Sequence, residues 1–183
     1  MTTFEWIAQA VGIVAMMFNI FSYQQKSAKR VITFQLFGAL LFGVNYCMLG
    51  APVGMCMNFV AVVRAIVYSN REKFRADRAF WLVIFTSVYV LSYILSFTVF
   101  GLDFTLRNAI VELLPVIGMV AVTVSFRLQS AAMIRRLGFI SSPCWLIYNV
   151  FNFAVGGIIC EVFSLCSIII GLFRYDFKGR KRD

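Results

Sequence analysis

Glu161 is the residue whose type and position carry the sharpest chemistry. It stands among Ile158, Ile159, Val162 and Phe163 in an otherwise apolar stretch. Keeping an ionisable group at membrane depth costs roughly 3 kcal/mol, so such groups tend to be functional. Asn58 lies 103 residues earlier in a matching apolar stretch. An amide both donates and accepts hydrogen bonds, whereas an ionised glutamate only accepts. Together the two side chains could bind a polar solute, or Glu161 could take a proton as its surroundings change. The alternative is a satisfied hydrogen bond between helices with a purely structural role.

Other polar residues recur at helical spacing. Gln35, Gly38, Phe42 and Asn45 follow i, i+3, i+7, i+10 and share one helix face. Trp145, Asn149 and Asn152 share another, and Gln9, Gly12 and Asn19 a third. Small residues let helices approach and amides join them, so these stripes serve either as packing seams or as a solute path. Trp145 precedes Glu161 by sixteen residues, as Phe42 precedes Asn58. Trp145 could equally be a packed or interfacial aromatic. Glu112 and Arg64 join Glu161 as candidates for proton or ion coupling. Glu112 opens a span, where the helix N-terminus favours a carboxylate. Arg64 is expected first to snorkel out of its span, with Glu161 or a substrate carboxylate as the other partner.

No catalytic set accompanies these residues. The chain has no His, no phosphate-cradling glycine loop, no nucleophile elbow and no metal-ligand spacing. Its five Cys (Cys47, Cys56, Cys144, Cys160 and Cys166) lie in apolar stretches without a C-x-x-C pair, as small packing residues do. The expectation is a protein that is not an enzyme and that uses no metal or cofactor.

The elements that must position these groups follow from composition. Of 183 residues, 61% are hydrophobic and 14% charged, against about half and about a quarter in soluble domains. So much apolar surface calls for lipid as solvent. Apolar runs broken by charged or Gly/Pro-containing joints predict spans at about 5–22, 31–49, 53–69, 80–100, 109–126, 136–152 and 156–173. The joints Gly50-Ala51-Pro52 and Ala154-Val155-Gly156-Gly157 carry no charge and rest on turn chemistry alone. The first span has Glu5 and no basic residue before it, so it is expected to be retained rather than cleaved.

The basic residues orient these spans. The chain has 17 Lys+Arg against 8 Asp+Glu, a net +9. Fifteen of the seventeen fall on one side when the N-terminus is placed outside. They are Lys26, Lys29 and Arg30, then Arg71, Lys73, Arg75 and Arg78, then Arg127, Arg135 and Arg136, and Arg174, Lys178, Arg180, Lys181 and Arg182 in the tail. Arg107 is alone in an outside joint. This asymmetry predicts N-out and C-in. It makes the basic charge a topology signal, with lipid rather than nucleic acid as its partner.

The first three spans also repeat. Residues 5–71 shifted by 103 fall on 108–174 without a gap, with nine identities in 67 positions. Ser22 meets Ser125, Ser27 meets Ser130, Gly54 meets Gly157 and Arg71 meets Arg174. One intervening span gives the two copies the same orientation. The fold expected is an all-α polytopic membrane protein of seven transmembrane helices, two parallel three-helix repeats joined by a linker helix. The divisions are 1–71, 72–107 and 108–174, with a basic tail at 175–183. Parallel repeats are a transporter architecture with a site between the halves.

The segments Glu112-Leu113-Leu114-Pro115-Val116-Ile117-Gly118 and Cys144-Trp145-Leu146-Ile147-Tyr148-Asn149, with Gly156-Gly157, Glu161 and Arg174, resemble the YgjV-type bacterial inner-membrane proteins. The three-plus-one-plus-three plan resembles the SWEET and PQ-loop transporters more distantly. Ser22-Tyr23-Gln24-Gln25 stands where that superfamily often has Pro-Gln. The resemblance implies that Phe42 and Trp145 stack on a solute while Asn58 and Glu161 hydrogen-bond it; Asn45 and Asn149, from the helical stripes, are further candidates to bind it. It implies a transporter or facilitator of a small polar solute, sugar-like or amino-acid-like, in the bacterial inner membrane. A dimer or trimer is allowed. The contrasting expectation is a non-transporting receptor or scaffold of the same fold.

Overall fold

The computed structural model describes residues 3–48, 52–99, 101–151 and 155–177. All regular structure in them is helical. The long helices are α1 (Thr3–Ser22), α2 (Ala28–Met48), α3 (Pro52–Ser69), α5 (Ala79–Thr98), α6 (Leu106–Leu128), α7 (Ala131–Phe151) and α8 (Val155–Gly171). A single turn, α4 (Arg71–Phe74), follows α3, and a π-helical turn at Leu172–Phe177 continues α8.

Local chemistry explains the boundaries. Pro52 opens α3, where its missing N–H would be unbonded anyway. Thr105 caps α6 by accepting from the Asn108 amide at 3.2 Å. Ser27 accepts from the Arg30 amide at 3.3 Å, and Ser130 from the Met133 amide at 3.4 Å. Two serines 103 residues apart therefore cap α2 and α7 in the same way. Those two helices begin and end 103 residues apart, and α3 and α8 begin so as well. Gln129 ends α6 in the left-handed region at φ 51, a common way to terminate a helix.

The helices form two groups. In the first, α1 packs on α2 and α2 on α3; in the second, α6 packs on α7 and α7 on α8. Between the groups, α1 meets α8, α2 meets α7 and α3 meets α6. First helix thus meets third, second meets second, and third meets first, the pattern of a pseudo-two-fold axis. α5 breaks that symmetry by packing on α6 and on α3. An aromatic cluster holds it there: Tyr68 lies 6.2 Å from both Phe85 and Phe126, and Trp81 stacks on Phe85 at 5.9 Å, centroid to centroid.

The outer surface differs from that of a soluble protein. Val83, Leu91, Ile94, Leu113, Ile117, Val162, Phe163 and Ile170 are exposed, while Asn45, Arg64, Ser142, Asn149 and Ser164 are buried. An apolar outer surface, with polar side chains buried among the core hydrophobics, suits lipid. Ala79–Thr98, Leu106–Leu128 and Gly157–Asp176 are long and apolar enough to cross a membrane, and Trp6–Ser22 and Met55–Ser69 are shorter apolar stretches.

The predicted spans match the helices closely, with one instructive difference. α2 and α7 begin three and five residues before the predicted starts. Hydropathy trimmed their charged starts, which hold Lys29 and Arg30 in α2 and Arg135 in α7. The joint residues 49–51 and 154, Asn152 and the tail residues 178–183 lie outside the described residues.

Candidate functional site

The two groups enclose a cavity of about 560 Å³. About half of the residues in its wall are matched positions. Met16 and Met119, Asn19 and Val122, Ala39 and Ser142, Phe42 and Trp145, Asn58 and Glu161, and Ala61 and Ser164 all line it. Each pair is 103 residues apart. A space lined this way lies on the pseudo-two-fold axis.

Asn58, Glu161, Phe42, Trp145, Asn45, Asn149 and Arg64 are therefore brought together around one cavity. Glu112 is not: it is half-buried on α6 and does not belong to the cavity wall. Asn152 lies outside the described residues.

Each group is held by its helix and its neighbours. Glu161 is on α8, with the Ser142 hydroxyl of α7 in hydrogen-bonding reach. The same hydroxyl reaches the Tyr23 phenol, so a carboxyl, a hydroxyl and a phenol from both groups converge at one edge of the cavity. Tyr23 fits because Gly138 has no side chain; a Cβ there would stand 3.1 Å from its ring. Asn45 donates to the Ala8 carbonyl at 2.7 Å, tying α2 to α1. Gln35 donates to Ser22 Oγ at 3.2 Å, and Gly38 leaves room for Asn19, 2.8 Å from where its Cβ would be. The α2 stripe thus does both things its composition allows. It seats α1, and Gln35, Phe42 and Asn45 also face the cavity. Trp145 fills the space beside Gly118, its ring atoms 3.1–3.2 Å from where a Cβ would lie.

Arg64 does not snorkel. It is only 5% exposed. One guanidinium nitrogen donates to Tyr89 Oη at 3.1 Å, and to Thr123 Oγ1 and the Met119 carbonyl at 3.4 Å each. The guanidinium carbon sits 5.0 Å from the Phe126 ring centroid. Thr123 in turn is fixed by a 2.7 Å bond to the Met119 carbonyl. The cationic head is held sideways by α5 and α6 instead of reaching the end of α3. Among the described residues it forms no ion pair with Glu161.

The groups also meet at the end of the bundle that carries the α1–α2 and α6–α7 joints. Gln24 donates to the Ser167 carbonyl at 2.7 Å and hydroxyl at 2.9 Å, and Ser167 donates to the Ile20 carbonyl at 2.6 Å. Gln129 donates to the Tyr68 carbonyl at 2.9 Å. Arg135, read from the sequence as a loop charge, is buried here. It pairs with Asp176 at 3.0 and 2.6 Å and reaches the Gln25 carbonyl at 2.9 Å. Sequence reasoning missed this clamp, and it missed Ser141, Ser142 and Tyr23. The available signal was Asp176, one acid within a run of basic residues.

Comparison with known proteins adds a family. A profile described as bacterial inner membrane protein, Imp-YgjV, matches residues 6–178. Inner membrane protein YgjV of Escherichia coli (strain K12) is 25% identical over 160 residues, spanning 87% of this chain and 79% of that protein. No solved structure matches this chain significantly.

Proposed function

Because the chain belongs to the YgjV family of bacterial inner membrane proteins, we propose that it carries a small polar solute, sugar-like or amino-acid-like, across that membrane by alternating access. All seven long helices cross the bilayer, as two parallel three-helix groups joined by α5. The N-terminus is outside and the C-terminus cytoplasmic. The protein is a carrier and not an enzyme, its partners are the solute and lipid, with no nucleic acid, and it works as a monomer or a homo-oligomer.

One observation carries this proposal: the cavity between the groups is lined by matched positions of both, with polar side chains among them. A site on such an axis presents equivalent surfaces to both sides when one group rocks against the other. Phe42 and Trp145 offer aromatic faces to the solute, and Asn45, Asn58, Asn149 and Glu161 offer hydrogen bonds. The clamp of Gln24, Ser167, Arg135 and Asp176 closes the cytoplasmic end and opens when the groups rock. Glu161 and Arg64 line the path as candidate coupling groups, and Glu112, near the outer end of α6, is a third.

The test is solute flux in proteoliposomes. Uptake should be saturable, and counterflow should appear when the same solute is preloaded. Tight solute binding without flux would favour a receptor of this fold and end the transport reading.

A further inference from the structure

Resting on that reading of the cavity, we infer that its solute is a zwitterion, with an anionic group bound by Arg64 and an ammonium bound by Glu161. Arg64 is a cation with no ion-pair partner among the described residues. The Arg64 guanidinium stays charged at any physiological pH and lines the cavity. Its described partners are the neutral oxygens of Tyr89, Thr123 and Met119 and the Phe126 ring. Its Nε is buried with no hydrogen-bond partner. The ion pair found among the described residues is Arg135–Asp176, at the end of the bundle. A buried charge without a counter-ion is costly, and an anion entering the cavity lowers that cost.

Glu161 supplies the other half. It lines the same cavity, with the Ser142 hydroxyl in reach. Opposite charges in one low-dielectric space should collapse onto each other if their supports allow it. Here they do not. Arg64 is fastened to α5 and α6 through Tyr89, Met119 and Thr123. Glu161 rides on α8, which packs on α1 and α7. Both side chains line one cavity of about 560 Å³ without pairing with each other, a volume within the roughly 300–1,000 Å³ typical of small-molecule sites. A neutral sugar would leave the Arg64 charge uncompensated, and a simple anion would leave the Glu161 carboxyl unused. A zwitterion satisfies both.

The test edits the solute before the protein. Calorimetry on the purified wild-type protein would use glycine, L-serine and L-glutamine, then β-alanine and 4-aminobutyrate to vary the charge spacing. Each is compared with its amide, which loses the anion, and its N-acetyl form, which loses the cation. Glucose is the neutral control. At least one zwitterion should bind, and either edit should weaken it roughly tenfold or more. In Arg64→Gln the zwitterion and its amide should bind alike, and in Glu161→Gln the zwitterion and its N-acetyl form should. If a variant does not fold, the wild-type comparison still decides. Edited forms binding as tightly as the parent, or no zwitterion binding at all, would overturn the inference. Zwitterion binding without flux in proteoliposomes would sink the transport reading and leave the inference standing. Glucose flux without zwitterion binding would do the reverse.

Discussion

Arg135 on α7 donates to the main-chain carbonyl of Gln25 at 2.9 Å, so a helix of the second group holds the joint between the first two helices of the first. The contact is strong because Arg135 is itself fixed by Asp176 through two parallel bonds of 3.0 and 2.6 Å. Side-chain exposures of 2% and 8% keep water from competing. Removing one partner of a buried pair strands the other charge, at about 3–5 kcal/mol. Asp176→Ala should therefore lower stability by about 3 kcal/mol in a denaturant melt. The double change Arg135→Met with Asp176→Leu should recover most of it. An unchanged melt for Asp176→Ala would mean that the pair is wet and contributes little.

Close packing at two glycines gives a second prediction. A Cβ on Gly171 would stand 2.6 Å from the Tyr23 carbonyl oxygen and 2.8 Å from Arg135 Cδ. A Cβ on Gly157 would stand 2.5 Å from Asn149 Nδ2. The first obstacle is main chain and cannot swing aside, whereas the second is a side chain. Both Ala variants should be destabilised by about 1–3 kcal/mol as overpacked sites. Asn149→Ala should rescue Gly157→Ala in a double-mutant cycle, and no single side-chain deletion should rescue Gly171→Ala. Thermal melts of the parent and these variants decide it.

The helices were legible in the sequence because lipid-facing residues must be apolar along whole turns, which hydropathy detects. The single offset of 103 already placed Phe42 with Trp145 and Asn58 with Glu161, and the cavity wall contains both pairs. Charged residues were harder to read. Hydropathy treats every Arg as a chain end, yet Arg64 and Arg135 are both buried. What buries them is a tertiary arrangement, Tyr89 and Thr123 around one and Asp176 around the other. These partners lie 25 to 59 residues away in the chain, beyond any local pattern. Ser142 was invisible for a similar reason. A serine in an apolar helix is usually satisfied within its own helix, and only the packing of α7 against α8 turns this one toward Glu161.

Topology is the third prediction. Alkaline phosphatase fused within the Gly101–Arg107 joint should be active, and a green fluorescent protein fused behind Asp183 should fluoresce. The expectation follows from fifteen basic residues on one side and Arg107 alone in an outside joint. Adding three lysines beside Arg107 should lower the outside signal of the first fusion, because short loops are governed by their Lys and Arg content. A tail that reads outside would overturn both the charge argument and the parallel arrangement of the two groups.

The last prediction concerns Glu161 and pH. Glutamine keeps the shape and one acceptor oxygen of glutamate but cannot ionise. Neither its volume nor the reach of Ser142 should suffer, so Glu161→Gln should fold and melt like the parent. Transport should separate the two proteins. A carboxylate that pairs with an ammonium does so only while ionised, so uptake by the parent should fall as pH is lowered through the titration of this group. If the proton is also carried, an imposed proton gradient should drive accumulation in the parent. The Gln variant should lose both behaviours, with slower uptake that varies little with pH. A facilitator without proton coupling would respond to pH through affinity alone, shifting its half-saturating concentration at constant maximal rate. Parent and variant moving solute alike at every pH would make Glu161 structural. The binding groups would then have to be sought in Asn58, Trp145 and Asn149, with Arg64 as the charge that remains.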